Sequence, residues 1–471
     1  MEKIILTKEK LSEIINDCDN KSKMEFYYDA ALKNNIIADQ YGSLLCLLLM
    51  FVRHYHTELF LKKKTDASEF FGLNLFAEGT EYWRFYELLD KTNFIILMCK
   101  IHKENIPDKP LEEFTEIYSH VSFLYGHYIK FLDVSTNAFK INPNNSICIF
   151  LKSLIVELCF INKTPLSYKI ALRNYQKQLI EKCTAHELPF DIRIYNSALN
   201  EINSYIQHFG EIEQQIEFTP VANNFKETQK FIKEWTEEHD FYLRNCLFLN
   251  PLCNFGNFVE CSIEDLEDLP TNDKVKNLFN EIVDDFKMCR SIVFSFYKKI
   301  NGVGKREMCM TYSYLYSIFD KLAYLFKIAF NLKMNDDHID FTKEHLFNAP
   351  VNGTKIKFGD IKNNNISPLY TIMKKTREKQ KITNALQTGT FKHNELRNAI
   401  NHKSIYVVSE QKLKTNSSML LRLARDAILY SYMLLHSCSA KDFEKNTAIH
   451  HTYFSIIMKA NFENNQELEK K

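Results

Sequence analysis

Glycine and proline are scarce in this chain of 471 residues, which holds only 11 of one and 10 of the other. Each stands near ~2% of the sequence, where ~7% and ~5% are usual. Those two residues punctuate turns and interrupt helices, so their scarcity predicts long unbroken helices. Net charge is nearly absent as well: 60 basic residues against 59 acidic ones leave +1. No global field selects a partner, and any polyanion surface has to come from local segregation of charge. The 12 cysteines (Cys18, Cys46, Cys99, Cys148, Cys159, Cys183, Cys246, Cys253, Cys261, Cys289, Cys309, Cys438) include no C-x-x-C pair. Most fall inside apolar helical runs, which excludes a disulfide framework or a zinc site and predicts reduced core thiols. A long hydrophobic run is missing too. The most apolar stretch, Leu44 to Val52, is far short of the ~20 residues that cross a bilayer. Met1 to Lys10 lack the apolar centre of a secretory signal. The expectation is a cytoplasmic protein with no membrane association, no metal and no cofactor.

What is present is core material. Hydrophobic residues make up 45% of the chain, with 37 Phe and 24 Tyr, which excludes disorder except at the ends. Apolar residues recur with helical period throughout and predict helices at about 8–17, 23–34, 39–62, 81–104, 112–133, 146–161, 165–184, 194–216, 225–248, 272–300, 306–333, 367–386, 391–403, 418–437 and 444–460. The fold class is therefore all-α. Leu315, Ile318, Phe319, Leu322, Leu325, Phe326 and Ala329 follow the i, i+3, i+4, i+7 rule and predict one buried face. Phe218 to Asn224, with Pro220 and a polar pair, is the best boundary. It divides a helical regulatory or sensing region at 1–222 from a helical-bundle domain at 223–462, followed by a polar tail at 463–471. Only 334–366, with Pro350, Gly353 and Gly359, breaks the helical pattern. A small hairpin over Val351 to Ile361 is expected there, in a loop that packing does not require and that hints at function.

The most informative stretch is Arg397-Asn398-Ala399-Ile400-Asn401-His402. A guanidinium can hold a phosphate, an amide can orient, and an imidazole can move a proton near neutral pH. Asn398 and His402 lie four apart and share a helix face. Arg397 points about 140° away around the axis at ~3.6 residues per turn. Two such helices facing across a two-fold axis would bring all three groups together, so the spacing favours a homodimer through these helices. The matching chemistry is RNA cleavage by the ribose 2′-hydroxyl, with His402 as acid/base, Arg397 stabilising phosphate charge and Asn398 orienting. The bland alternative for His402 is a surface or satisfied core residue. His393 is an auxiliary or a bystander. Upstream, Lys374, Lys375, Arg377, Lys379 and Lys381 are offset only by Glu378. Those cations either hold a polyanion backbone or form a solvated helix face. Tyr316, Asp320 and Tyr324 form an i, i+4, i+8 ladder in which Asp320 can accept hydrogen bonds from Arg397 or simply pair with a lysine.

Arg397-Asn398-x-x-x-His402 resembles the R-x4-6-H signature of the HEPN superfamily. Two further segments, Phe241 to Gly256 with its Leu-Phe-Leu-Asn-Pro-Leu-Cys-Asn core and Tyr314 to Tyr324 with its Asp-Lys pair, are similar to one bacterial branch carrying an LFLNPLND-type motif. Cys253 and Asn254 depart from that motif, and Ser404 stands where some members place a Tyr that is a modification target. The resemblance spans about 230–440. It implies a helical bundle that dimerises through the motif helices and cleaves single-stranded or tRNA-like RNA without metal, as a toxin-like effector in anti-phage or toxin–antitoxin defence. Carried over, Arg397, Asn398 and His402 are the catalytic residues and Asp320 a supporting one, while the N-terminal region is a place for a regulatory partner. The reading from another class is a non-catalytic helical module that binds RNA or protein. Gly302-Val303-Gly304-Lys305 lacks phosphate-loop spacing and reads as an inter-helix turn. Arg53-His54-Tyr55-His56 and His450-His451 lack metal-ligand geometry.

Overall fold

The computed structural model describes residues 4–17, 20–32, 35–38, 40–62, 81–155, 166–184, 192–213, 272–335, 339–352, 354–361, 365–377, 396–397, 400 and 409–437. Among them the architecture is all-α apart from one small strand pair and isolated antiparallel bridges within 332–357. β1 (Ile4–Leu6) and β2 (Ile36–Ala38) run parallel, with Ile5 opposite Ile37. Helices α1 (Lys8–Asn16) and α2 (Lys21–Leu32) supply the crossover between them. Sequence patterning missed the strands, since three residues are too few to establish a period of two. The Thr7 hydroxyl accepts from the Lys10 N–H at 3.2 Å and starts α1.

The N-terminal half continues as α3 (Tyr41–His56, extended by a π-helical segment Thr57–Lys62), α4 (Glu81–Ile101), α5 (Asp108–Leu124), α6 (Tyr128–Ile141), α7 (Ser146–Ile155), α8 (Leu166–Thr184) and α9 (Ile192–Glu213). Successive helices pack as neighbours, α3 on α4, α5 on α6, α7 on α8 and α8 on α9. The single helix expected over 112–133 is two. The His127 N–H donates to Ser122 O at 2.8 Å, and Gly126 takes φ +73°. That left-handed residue ends α5 as glycine commonly does. One glycine inside the apolar run Phe123 to Ile129 left no other sign of the break.

In the C-terminal half, α10 (Asp273–Lys298) and α11 (Lys305–Ala329) form a hairpin. Its turn holds Lys299, Asn301 and Gly302 at positive φ, so the Gly-Val-Gly-Lys segment is an inter-helix turn. Asn272 caps α10 by accepting from the Val275 N–H at 3.0 Å. Helix α13 (Glu410–Ser437) packs on both, and α12 (Ile366–Arg377) packs on α13. Leu315, Ile318, Phe319, Leu322, Leu325 and Phe326 are buried as the periodicity predicts.

The segment between α11 and α12 corrects one expectation. A hairpin does form, shifted to Ala349–Phe358, with Val351 N donating to Ile356 O at 2.9 Å and Phe358 N to Ala349 O at 2.8 Å. Packing depends on it, however. Phe341, Phe347 and Phe358 are buried, and Phe358 meets Phe326, Phe330 and Phe347 with ring centroids 5.0–5.8 Å apart. A Cβ at Gly359 would lie 3.0 Å from Phe347 O, so glycine permits that approach.

The two halves share one hydrophobic core. The Ile129 N–H of α6 donates to the Tyr430 hydroxyl of α13 at 3.2 Å. His127 lies between the Tyr86 hydroxyl at 2.9 Å and the Ser367 hydroxyl of α12 at 3.2 Å. The boundary expected near Pro220 lies outside the described residues. No helix among the described residues is long and apolar enough to cross a membrane.

Candidate functional site

Tyr316 is the centre of the site. It sits on the inner face of α11 and is fully buried. Its hydroxyl donates to Thr376 O of α12 at 3.2 Å. Two guanidinium groups lie over its ring, with Cζ at 3.9 Å from the centroid for Arg377 and 4.6 Å for Arg397. A guanidinium over an aromatic face is attracted by the ring quadrupole, more so where water is excluded. Burial pushes the Tyr316 phenol up, against the two arginines, which pull it down. The ring therefore stays neutral.

Asp320 stands one turn further along α11. Its Oδ1 accepts from Arg377 Nη2 at 2.6 Å and from the Phe341 backbone N–H at 3.2 Å. Asp320, open to Arg397 or to a lysine on sequence grounds, is paired instead with Arg377, which follows Thr376 on α12. The Arg377 side chain is only 8% exposed and Asp320 30%, and the Nε of Arg377 is buried without a hydrogen-bond partner. Arg397 has no carboxylate partner among the described residues; the Tyr316 ring is its contact. The ladder of Tyr316, Asp320 and Tyr324 is not one face. Each step of four residues advances about 40° around an α-helix, so Tyr316 is buried while Tyr324 is 44% exposed.

Of the cations expected to hold RNA backbone, the described ones, Lys374, Lys375 and Arg377, are engaged within the chain. Lys374 pairs with Glu87 at 3.2 Å and lies 4.9 Å over the Trp83 ring. Trp83 Nε1 donates to the same Glu87 oxygen at 2.9 Å. Lys375 pairs with Asp90 at 2.8 Å, and that carboxylate also accepts from the Tyr118 hydroxyl at 2.6 Å. Burial raises the Asp90 carboxyl, but Lys375, Lys130 and the Tyr118 hydroxyl outweigh it and hold the group below the ordinary carboxylate range. Helix α12 therefore joins α4 through its lysines and α11 through Arg377. Asn398, His402, His393, Lys379 and Lys381 lie outside the described residues, as does the Leu-Phe-Leu-Asn-Pro segment.

Reasoning on the sequence missed Trp83, Glu87 and Asp90 because a partner nearly three hundred residues away leaves no local pattern. It named Tyr316 without its role. A tyrosine at a buried helical position with arginines elsewhere on the chain is too common to mark a stack.

The described C-terminal helices define an all-α bundle with one arginine on an aromatic platform and a second tied to an aspartate beside it. Residues 266–438 match the family model for LA2681-like HEPN domains, so the C-terminal half carries a HEPN-family domain. HEPN is a superfamily of nucleases and RNA-binding domains. The match takes in α10 to α13 and the Arg397–His402 stretch, while Phe241 to Gly256 precede it. No curated protein and no solved structure gives a significant match.

Proposed function

We propose that the C-terminal half is a metal-independent endoribonuclease that cleaves single-stranded or tRNA-like RNA. The observation that carries the reading is Arg397, whose guanidinium is seated on Tyr316 with no carboxylate among the described residues to neutralise it. Asp320, the nearest acid along α11 from Tyr316, is taken by Arg377. A cation arranged in this way is suited to a phosphate, whose oxygens accept its N–H groups in pairs. His402 acts on protons. The ribose 2′-oxygen forms a bond to phosphorus as a base removes its proton, and the bond to the 5′-oxygen breaks as an acid supplies one. The products are a 2′,3′-cyclic phosphate and a 5′-hydroxyl. Two copies of the chain meeting through the motif helices supply one imidazole for each transfer, and Asn398 orients the imidazole or the phosphate. Arg397 stabilises charge on the phosphate in flight. The setting is a cytoplasmic, toxin-like effector of anti-phage or toxin–antitoxin defence, with the N-terminal half as the place for a regulatory partner.

A second reading, a non-catalytic RNA- or protein-binding module, is favoured by Lys374 and Lys375, which are engaged by Glu87 and Asp90 rather than held out for a polyanion. One comparison separates the two. The purified full chain should cut single-stranded RNA in EDTA, and His402→Ala should stop cutting while retaining the circular dichroism of the parent. RNA ends sequenced after induction should differ between the two in the same sense. Intact tRNA, mRNA and phage transcripts with the wild-type chain, and no new ends in cells, would refute the nuclease.

A further inference from the structure

Among the described residues, two guanidiniums and one carboxylate gather at the Tyr316 phenol. The two cations lie no farther apart than the sum of their distances to the Tyr316 centroid. Like charges so placed repel, and among the described residues Asp320 is the carboxylate at this ring, paired with one of them. Which arginine it takes decides what the other can do. The structure gives it to Arg377, whose side chain is 8% exposed and whose Nε has no hydrogen-bond partner. Asp320 Oδ1 is further occupied by the Phe341 N–H. Lys321, the cation next along α11, is paired with Glu281 and Asp285 of α10. Arg397 is thus the cation at this ring left without a carboxylate among the described residues.

We infer that Arg377 is a positioning residue for RNA binding: by occupying Asp320 it leaves the charge of Arg397 available to a backbone phosphate. The inference rests on the functional reading above and adds the internal competition on which that reading depends. Without Arg377, Asp320 would neutralise Arg397 as an internal anion in the place a phosphate takes. The two geometries differ by one hydrogen-bond exchange about a fixed ring. Tyr316 does not move, since its hydroxyl is anchored on Thr376 O and its ring is enclosed by the core.

The test reads binding rather than cutting. A fluorescein-labelled single-stranded oligoribonucleotide is titrated with full-length protein carrying His402→Ala, and affinity is measured as a function of salt. Arg397→Gln should lower affinity about tenfold and reduce the slope of log K against log salt by about 0.7, the value for one phosphate contact on a single strand. Arg377→Gln should do nearly the same although it touches no phosphate. Adding Asp320→Asn to Arg377→Gln should restore affinity and slope toward the parent, because the released competitor is then uncharged. Loss of a merely structural contact would not be rescued by that second change. Arg377→Lys, which keeps the pair, should retain most of the affinity. Asp320→Asn alone should bind at least as well as the parent, and this holds the test open if Arg377→Gln does not fold. The inference is overturned if Arg377→Gln binds like the parent, if the double variant stays as weak as Arg377→Gln, or if Asp320→Asn alone loses binding. Binding that is indifferent to Arg397→Gln would instead remove the functional reading itself.

Discussion

Asp90 is where the two halves exchange charge, and removing it should loosen their junction by a calculable amount. In Asp90→Ala the Tyr118 hydroxyl, buried on α5, loses its acceptor at 2.6 Å. An unsatisfied buried hydroxyl costs about 1–3 kcal/mol. Lys375 and Lys130 lose a carboxylate at 2.8 and 4.0 Å, but their side chains are 34% and 30% exposed. Solvent screening limits each of those losses to about 0–1 kcal/mol. The expected destabilisation is therefore about 1–5 kcal/mol, most of it from the hydroxyl. Asp90→Asn, which still offers Tyr118 an oxygen, should cost only about 1 kcal/mol. Of the two tryptophans, Trp83 sits at this junction beneath Lys374. Urea unfolding followed by Trp83 emission, in a Trp235→Phe background, reads the junction directly. The wild-type advantage should persist down to the ordinary carboxylate range near ~3.9 and fade below it. The folded-state carboxyl is depressed, so its contribution is present above the unfolded value and is lost as pH falls through the folded one. If Asp90→Ala unfolds within about 0.5 kcal/mol of wild type, or if Asn is as damaging as Ala, the hydroxyl is not the dominant loss and the reasoning fails.

Acid should weaken the fold well above the carboxylate range. Burial pushes His127 and His120 down to about 3 and His56 down to about 4. Below the unfolded value of ~6.5 the open chain takes up protons that the folded one refuses, so stability falls with pH. His127 alone should cost about 2 kcal/mol between pH 7 and 5, read as a drop in the urea midpoint. A midpoint unchanged across that interval, or one equally steep in His127→Gln, would contradict it. Tyr316→Phe should cost about 1 kcal/mol through the lost bond to Thr376 O while leaving RNA affinity unaltered, since both stacks need only the ring. Tyr316→Leu should lower that affinity, and an unchanged value would detach Arg397 from its platform.

The helices were legible because each carries its own signal: α10 and α11 begin and end within a few residues of the expected bounds, and the buried face of α11 is the predicted one. The break at Gly126 was not, because a left-handed glycine in an apolar run looks like a tolerated helical one. The site divides along the same line. Arg397, Asp320 and Arg377 were each visible as chemistry, yet that Asp320 pairs with Arg377 depends on how α12 lies against α11. The lysines of α12 read as a solvated or polyanion-binding face because their acids, Glu87 and Asp90, lie in the other half of the chain. Spacing reports neighbours on one helix, and these neighbours are on different ones.

The common core also bears on how this chain could be recombined or transplanted. Tyr430 serves the backbone of α6, Ser367 serves an imidazole that follows α5, and the lysines of α12 answer to acids on α4. A chimera that exchanges one half for a homologous one inherits half of each of these pairs. It would fail for want of matched contacts before any question of regulation arose, so the natural module for grafting is the whole helical body.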